Sequence, residues 1–148
     1  MKVMRLLSSL KHDESERGIF HLGRALVKNE HTSIIVSSAD EDNDLVRRLK
    51  RDGNIYHQLH VNKKSWLSLL QVSALRHLIE KYEPDVIHVH SRTPAWILHL
   101  ALRRARVRRF PKLVSTMYGF YPINKYSQAL LNVDTIITVS DSVTKYLK

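Results

Sequence analysis

The sequence contains no cysteine. This absence excludes disulfides, thiolate catalysis and zinc sites with cysteine ligands. No apolar run approaches the ~20 residues that a membrane-spanning helix requires. Residues 1–10 have the length of one strand and are followed by charged residues, so we expect no secretory signal. These absences predict a cytoplasmic protein, and 148 residues suit a single domain with a sizeable core.

Several sequence motifs of common enzyme classes are also missing. The chain has no glycine-rich Walker loop, no G-x-G-x-x-G dinucleotide fingerprint and no G-x-S-x-G nucleophile elbow. Nothing in the sequence therefore indicates an NTPase, a dehydrogenase or a hydrolase.

Acidic residues are scarce in the second half of the chain. The whole sequence has 24 Lys and Arg against 14 Asp and Glu, a formal net charge of +10. Residues 86–133 contain no acidic residue and eight basic ones, of which six lie between Arg103 and Lys112. This charge predicts a positive field that attracts phosphates, nucleic acid or an anionic membrane. The dipole at the end of a helix accounts for about two of the six cations.

A buried strand that runs directly into a helix lies in the middle of the sequence. The apolar, β-branched run at residues 86–90 is typical of a strand covered on both faces of a parallel sheet. Thr93 is predicted to be the N-cap of the next helix, with Pro94 as its first residue. Ser91 and Arg92 form a polar turn between the two elements. Such strand ends form the ligand crevice of doubly wound sheets.

Hydrophobic periodicity alternates between the strand and helix patterns along the chain. The predicted strands are residues 2–7, 32–37, 54–59, 86–90, 112–116 and 135–139. The predicted helices are residues 16–29 after a Ser15 cap, one between Asp44 and Gly53, one from a Ser65 cap to Tyr82, then 94–105, 124–131 and one after Ser140. The third helix is expected to bury Leu67, Leu70, Ala74, Leu75, Leu78 and Ile79. The fold class is therefore α/β, a doubly wound, Rossmann-like parallel sheet of about six strands with helices on both faces.

Four segments of the chain resemble the N-terminal domain of retaining GT-B glycosyltransferases of family 4. They are residues 16–28, 84–92 (PDVIHVHSR), 115–124 (STMYGFYPIN) and 134–140 (DTIITVS), in the order found in the family. The resemblance implies a two-domain enzyme with its active site between two Rossmann-like halves. Residues 1–148 would be the acceptor-side domain. The C-terminal donor-binding domain is absent from this chain, which alone is expected to be inactive.

The same resemblance implies a reaction and its participants. A sugar would move, with retention, from a nucleotide-sugar co-substrate to a lipid-linked or cell-envelope saccharide acceptor, as in lipopolysaccharide biosynthesis. No further cofactor and no metal are expected, and no catalytic residue is assigned to this half. The expected partners are the acceptor, the protein's own C-terminal domain and an anionic membrane surface, but not nucleic acid. The predicted substrate-binding residues are Glu14, Ser15, Arg17, His90, Ser91, Arg92, Tyr118, Gly119, Tyr121 and Ser140.

Two features, at three positions, depart from the family pattern. Asp13 and Glu14 stand where the family has paired glycines, and carboxylates there would repel a donor pyrophosphate. Tyr118 replaces the usual histidine before Gly119, although its hydroxyl can still hydrogen-bond a sugar. These departures keep open a non-catalytic subunit of the same fold that binds saccharide or an anionic membrane.

Individual residues leave structural alternatives open. His88 and His90 lie on one face of a strand as metal ligands can, but no third ligand is evident, so we expect a hydrogen-bonded core His88 and a His90 at the crevice edge. Ser91 serves a ligand or caps the helix. The aromatic residues at 117–121 stack on sugar faces or pack within the loop. Arg17 meets an acceptor phosphate or pairs with Asp13 or Glu14.

A basic surface is the last prediction from the sequence. Lys63, Lys64 and Trp66 open an amphipathic helix of the kind that sits among lipid headgroups. With Arg103, Arg104, Arg106, Arg108 and Arg109 they predict a peripheral face at the inner side of the membrane. The alternatives are a solvated basic rim and, from charge alone, a surface for duplex DNA whose affinity falls with salt.

Overall fold

The computed structural model describes residues 1–10, 15–61, 69–122 and 124–148, without the side chains of residues 15 and 16. The strands are β1 (Lys2–Leu6), β2 (Thr32–Ser37), β3 (Ile55–Gln58), β4 (Val86–Val89), β5 (Lys112–Met117) and β6 (Thr135–Thr138). The helices are α1 (Ser15–Lys28), α2 (Asp44–Arg51), α3 (Leu69–Tyr82), α4 (Arg92–Leu102), α5 (Gln128–Leu131) and α6 (Asp141–Leu147). The predictions at Asp13, Glu14, Lys63, Lys64, Ser65, Trp66 and Leu67 lie outside the described residues.

All six strands form one parallel sheet in the order β3-β2-β1-β4-β5-β6. The chain winds outward from β1 to β3, returns to the centre at β4 and then winds the other way. Strand order therefore reverses between β1 and β4, where Arg5 lies beside His88 in the register. Ligands of open α/β sheets bind beyond the carboxyl ends of the strands at such a switch point.

The sheet is covered by helices on both faces, which confirms the predicted fold class. Residues of α1 and α2, including Phe20 and Leu49, pack with Ile35 and Tyr56 on one face. Residues of α3, α4 and α5 pack on the other face, where Ile87 is fully buried. The central strands β1, β2 and β4 are buried on both faces because crossover connections place a helix over each side, whereas the edge strand β6 stays partly exposed.

The ends of α2 follow the local rules that the sequence predicts. The Asn43 side chain accepts a hydrogen bond from the Leu45 N–H, which satisfies a free donor at the helix start. Gly53 follows the C-cap with φ of +95°, a conformation that glycine adopts without steric cost.

The start of α4 differs from the prediction. The helix begins at Arg92, so Ser91 occupies the N-cap position and the prediction of Thr93 as N-cap is wrong. The Thr93 hydroxyl instead forms a hydrogen bond with the hydroxyl of Tyr126. The Thr93 side chain, which the local pattern predicted to cap the helix, thus makes a tertiary contact instead. Likewise Ser15 is the first residue of α1 and does not precede it.

The predicted apolar stripe of α3 is correct at its centre and wrong at its start. Leu75, Leu78 and Ile79 are buried, whereas Leu70 is 64% exposed. The residues that cover the later turns of α3, including those of α4, thus do not cover its first described turn. No helix in the described part of the chain is long and apolar enough to cross a membrane.

Candidate functional site

The predicted site residues converge on the carboxyl edge of the sheet. His90 and Ser91 immediately follow β4, and Tyr118 follows the neighbouring strand β5. Ser140 follows β6 in the same direction, because all the strands are parallel. The sheet thus brings segments that are distant in sequence to one crevice beside the switch point.

His90 and Tyr118 form a hydrogen-bonded pair at this edge. The Tyr118 hydroxyl lies 2.8 Å from Nδ1 of His90, and the two rings are stacked with centroids 6.1 Å apart. Tyr118 is 41% exposed, so its ring is accessible from the crevice. Tyr118, which replaces the expected histidine, therefore contacts His90 directly. His90 follows β4 and is the residue that was predicted to reach the crevice edge.

Two buried polar atoms beside this pair have no hydrogen-bond partner among the described residues. They are Nε2 of His90 and Oγ of Ser91. The Ser91 side chain makes no capping hydrogen bond, so capping does not account for this residue. An unpaired buried polar group is unfavourable, and a ligand that supplies the missing partners would remove that cost.

A second layer of polar groups lies beneath the crevice. Nε2 of His88 is 2.7 Å from the Thr116 hydroxyl, and the His88 and His90 ring centroids are 4.1 Å apart. His88 is thus the hydrogen-bonded core residue that the sequence predicted. Arg5, which sequence reasoning missed, is fully buried on the same face of β1. Its Nη1 donates to the Ile19 carbonyl at 2.7 Å. The sequence signal that could have indicated Arg5 was a single arginine between apolar residues of a strand.

Burial and the Arg5 charge keep the imidazoles neutral. Burial, and secondarily the nearby guanidinium, lowers the pKa of His88 to about 4. Burial also holds the pKa of His90 well below its usual value, with smaller effects from His88 and Arg5. The pKa of Arg5 itself is lowered to about 10 by burial. The edge of the crevice therefore presents a neutral imidazole, a phenol and an alcohol near a buried cation.

Arg92 holds the aromatic loop that follows β5. Its guanidinium carbon lies 5.0 Å from the ring centroids of both Tyr121 and Tyr126, and Nη1 lies 3.4 Å from the Ser127 hydroxyl. Cations over aromatic faces attract the ring quadrupole. Arg92 thus contacts the loop, which makes it a positioning residue for Tyr121.

The same loop is joined to the last helix. The Tyr146 hydroxyl donates to the Tyr121 carbonyl at 2.9 Å, and the Tyr146 ring makes an edge contact with Phe120. Phe120 is 61% exposed, and Gly119 has open space where a Cβ would stand. The loop therefore has both an internally packed part and exposed aromatic surface.

The remaining predicted substrate residues are spread around this centre. Ser140 caps α6, because its hydroxyl accepts the Val143 N–H at 3.3 Å. Arg17 is exposed in the first turn of α1, and its predicted partners Asp13 and Glu14 lie outside the described residues. The side chain of Ser15 is also outside them.

The basic residues predicted to face a membrane lie elsewhere. Arg103, Arg104, Arg106, Arg108 and Arg109 connect the end of α4 to the start of β5, which is the amino edge of the sheet. All five are exposed. They are therefore at the end of the domain opposite the crevice.

The chemistry available at the crevice is hydrogen bonding. Within the described ranges no group of three or more His, Asp or Glu side chains could hold a metal ion. Residues 86–133, which supply its β4 and β5 walls, contain no carboxylate. Neutral donors and acceptors next to aromatic rings suit a polyhydroxylated ligand such as a saccharide.

Comparisons with known proteins agree with this geometry. The model of Glycosyltransferase Family 4 matches residues 15–148. A glycosyltransferase from Rickettsia africae ESF-5 superposes with a TM-score of 0.76 at 26% identity, over 99% of this chain and 38% of that one. A search of curated sequences finds no significant match.

Two further solved structures share the fold. The lipopolysaccharide outer core galactosyltransferase WaaB superposes with a TM-score of 0.71 at 14% identity, over 99% of this chain and 42% of that one. HepE from Anabaena, in complex with UDP and glucose, gives 0.58 at 16% identity, over 80% of this chain and 30% of that one. The chain spans less than half the length of these structures. Since the family match covers most of its residues, the chain belongs to glycosyltransferase family 4 and has the Rossmann-like fold of its GT-B neighbours.

Proposed function

We propose that this chain is the acceptor-side domain of a retaining glycosyltransferase. The enzyme moves a sugar from a nucleotide-sugar co-substrate to a lipid-linked or cell-envelope saccharide acceptor at the inner face of the cytoplasmic membrane. No cofactor or metal takes part beyond the co-substrate. The donor is held mainly by a C-terminal domain of the same protein.

The observation that carries this proposal is the pair of unpartnered atoms at the switch point. Nε2 of His90 and Oγ of Ser91 are buried and have no partner among the described residues, and the other ring nitrogen of His90 is hydrogen-bonded to Tyr118. A sugar hydroxyl both donates and accepts, so the hydroxyls of a saccharide can satisfy an imidazole nitrogen and an alcohol. The exposed aromatic side chains of the neighbouring loop offer stacking surface for a sugar ring.

A non-catalytic saccharide-binding subunit is the second candidate. It is favoured by Asp13 and Glu14, whose carboxylates would disfavour a donor pyrophosphate near the first loop. The same crevice would then bind saccharide without transferring sugar to it.

Isothermal titration of the full-length protein separates the two candidates. The transferase should bind one nucleotide-sugar and release heat on titration, and the His90→Ala variant should retain donor binding while losing acceptor binding. His77→Ala, which removes an exposed histidine of α3, is the matched control. Saccharide binding without binding of any nucleotide-sugar would overturn the transferase in favour of the binding subunit.

A further inference from the structure

The segment that joins α4 to β5 forms a basic surface at the amino edge of the sheet. We define this basic loop as residues 103–112, the joining segment together with Lys112 at the start of β5, which contain six cations. Strand β5 has six residues, which separate the loop from Tyr118 by about 20 Å. The basic loop and the crevice are therefore two distinct surfaces of the domain.

The carboxylates nearest the basic loop bind its backbone. Oε1 of Glu80 accepts the Arg106 N–H at 2.9 Å, and Oε1 of Glu83 accepts the Arg108 N–H at 3.0 Å. Both acids belong to the end of α3 or the residue after it. These hydrogen bonds fix the course of the loop on the domain and direct the acidic groups toward main-chain donors.

The cationic side chains of the loop form no ion pair with any carboxylate of the described residues. The other nearby acid, Asp85, accepts the Lys2 N–H at 2.7 Å, and this hydrogen bond is the main reason that its pKa is lowered, with a smaller effect of the Arg109 charge. Three carboxylates thus offset part of the charge of the six cations. The loop keeps a net positive charge that is available to an external anion.

An aromatic side chain is exposed among these cations. Phe110 is 61% exposed, and Met1 beside it is 58% exposed. Both line a concavity of about 590 Å³, and its charged lining residues are three cations and two carboxylates: Arg108, Arg109, Lys112, Glu83 and Asp85. An excess of cations around an exposed apolar side chain matches the boundary between lipid headgroups and acyl chains. A nucleic acid would be bound by the cations but would leave the apolar pair in water.

We propose that the basic loop docks the protein on an anionic phospholipid bilayer, with Phe110 inserted at the headgroup level. This inference rests on the proposed function for its membrane location and names the surface that achieves it. The crevice then opens away from the bilayer. The arrangement suits an acceptor whose terminal sugar extends about 20 Å from its lipid, a distance set by the length of β5.

The test is sedimentation of the full-length protein with lipid vesicles. The protein should bind phosphatidylcholine–phosphatidylglycerol vesicles and not pure phosphatidylcholine. Arg108→Gln/Arg109→Gln should bind about thirtyfold more weakly, since each cation contributes at an anionic surface. Lys125→Gln/Lys145→Gln removes the same charge from segments that follow the carboxyl ends of β5 and β6, and should bind like the parent protein. Phe110→Ser should weaken binding at every salt concentration.

The outcomes distinguish a membrane-docking surface from a surface for DNA or free phosphate. They also separate the docking proposal from the proposed transferase activity. The proposal would be overturned if the two double variants bound anionic vesicles equally well. It would also be overturned if the protein bound neutral vesicles as well as anionic ones. Tighter binding to duplex DNA than to anionic vesicles, or release by millimolar inorganic phosphate at constant ionic strength, would also overturn it. The assay contains neither donor nor acceptor, so loss of vesicle binding with intact sugar transfer would remove the docking surface alone.

Discussion

The phenolic oxygen of Tyr118 lies 2.8 Å from Nδ1 of His90, across the carboxyl ends of two neighbouring strands. This contact gives the tyrosine a defined place at the switch point, although histidine was expected at its position. It also leaves Nε2 of His90 as the ring nitrogen without a partner among the described residues. The hydrogen-bonding capacity of the crevice therefore depends on both side chains together.

Tyr118→Phe should weaken acceptor binding or turnover of the full-length enzyme by about fivefold, the factor that corresponds to about 1 kcal/mol. The substitution keeps the ring but removes one hydrogen bond that orients His90, and a net hydrogen bond is worth about 1 kcal/mol. Tyr82→Phe is the matched control, because it removes a comparable 2.7 Å contact with His57 outside the crevice. Steady-state kinetics with both variants measures the difference. Equal activities would contradict the assignment of Tyr118 to the site.

Stability should fall as the pH is lowered from 7 to 5. His88 has a folded pKa of about 4, lowered mainly by burial, whereas the unfolded chain takes up a proton near pH 6.5. The unfolded state thus binds more protons between pH 7 and pH 5. The free energy of unfolding is therefore lower by about 2 kcal/mol at pH 5 than at pH 7. Urea titrations at pH 7 and pH 5 should show that the free energy of unfolding falls less in His88→Gln than in the parent protein. His77→Gln, from an exposed position, should retain the parent's pH dependence, and an unchanged loss in His88→Gln would contradict the prediction.

Two glycines of α1 should respond oppositely to alanine. A Cβ at Gly23 would lie 2.7 Å from Oδ1 of Asn54 and 2.8 Å from Nη2 of Arg5, so Gly23→Ala should destabilise the protein by about 1–3 kcal/mol. At Gly18 no atom of the described residues lies within 4 Å of the added Cβ. Gly18→Ala should therefore be neutral or stabilise by up to about 1 kcal/mol through helix propensity. Chemical denaturation measures both, and equal effects would contradict the close approach of α1 to Arg5.

Arg92→Ala should loosen the aromatic loop while leaving the fold intact. The substitution removes two cation–π contacts, worth about 0.5–1 kcal/mol each at an exposed site. Amide hydrogen exchange over residues 118–127 should become faster, and turnover of the full-length enzyme should fall because Tyr121 loses its support. Arg51→Ala, at an exposed position at the end of α2, is the control. Unchanged exchange in Arg92→Ala would show that the loop does not depend on this contact.

The sequence predicted the fold because its signals are local. Alternating periodicities located every described strand and helix to within a few residues, and Asn43 and Gly53 behave as short-range chemistry requires. The predicted start of α4 was wrong because the Thr93 hydroxyl bonds Tyr126, a residue 33 positions away. No pattern around Thr93 contains that information.

The site could be predicted in outline but not in its second layer. His90, Ser91 and Arg92 were predicted because they follow a buried strand. Arg5 was missed because its burial depends on Ile19 and Ser33, which reach it only through the sheet and α1. The role of Arg92 likewise depends on the loop that follows β5, which begins 26 residues later at Tyr118. Contacts of this kind come from topology, and topology is the part of a fold that local pattern determines least.

The most direct test of the proposed function is transfer of radiolabelled sugar by the full-length protein. Each common nucleotide-sugar would be incubated with a membrane extract that contains lipid-linked and envelope saccharides. We expect label from one donor to enter the saccharide fraction, and incorporation to fall at least about tenfold with His90→Ala, because the crevice then loses one of its hydrogen-bonding groups. A folded protein that binds saccharide but transfers label from no donor would contradict the proposed transferase.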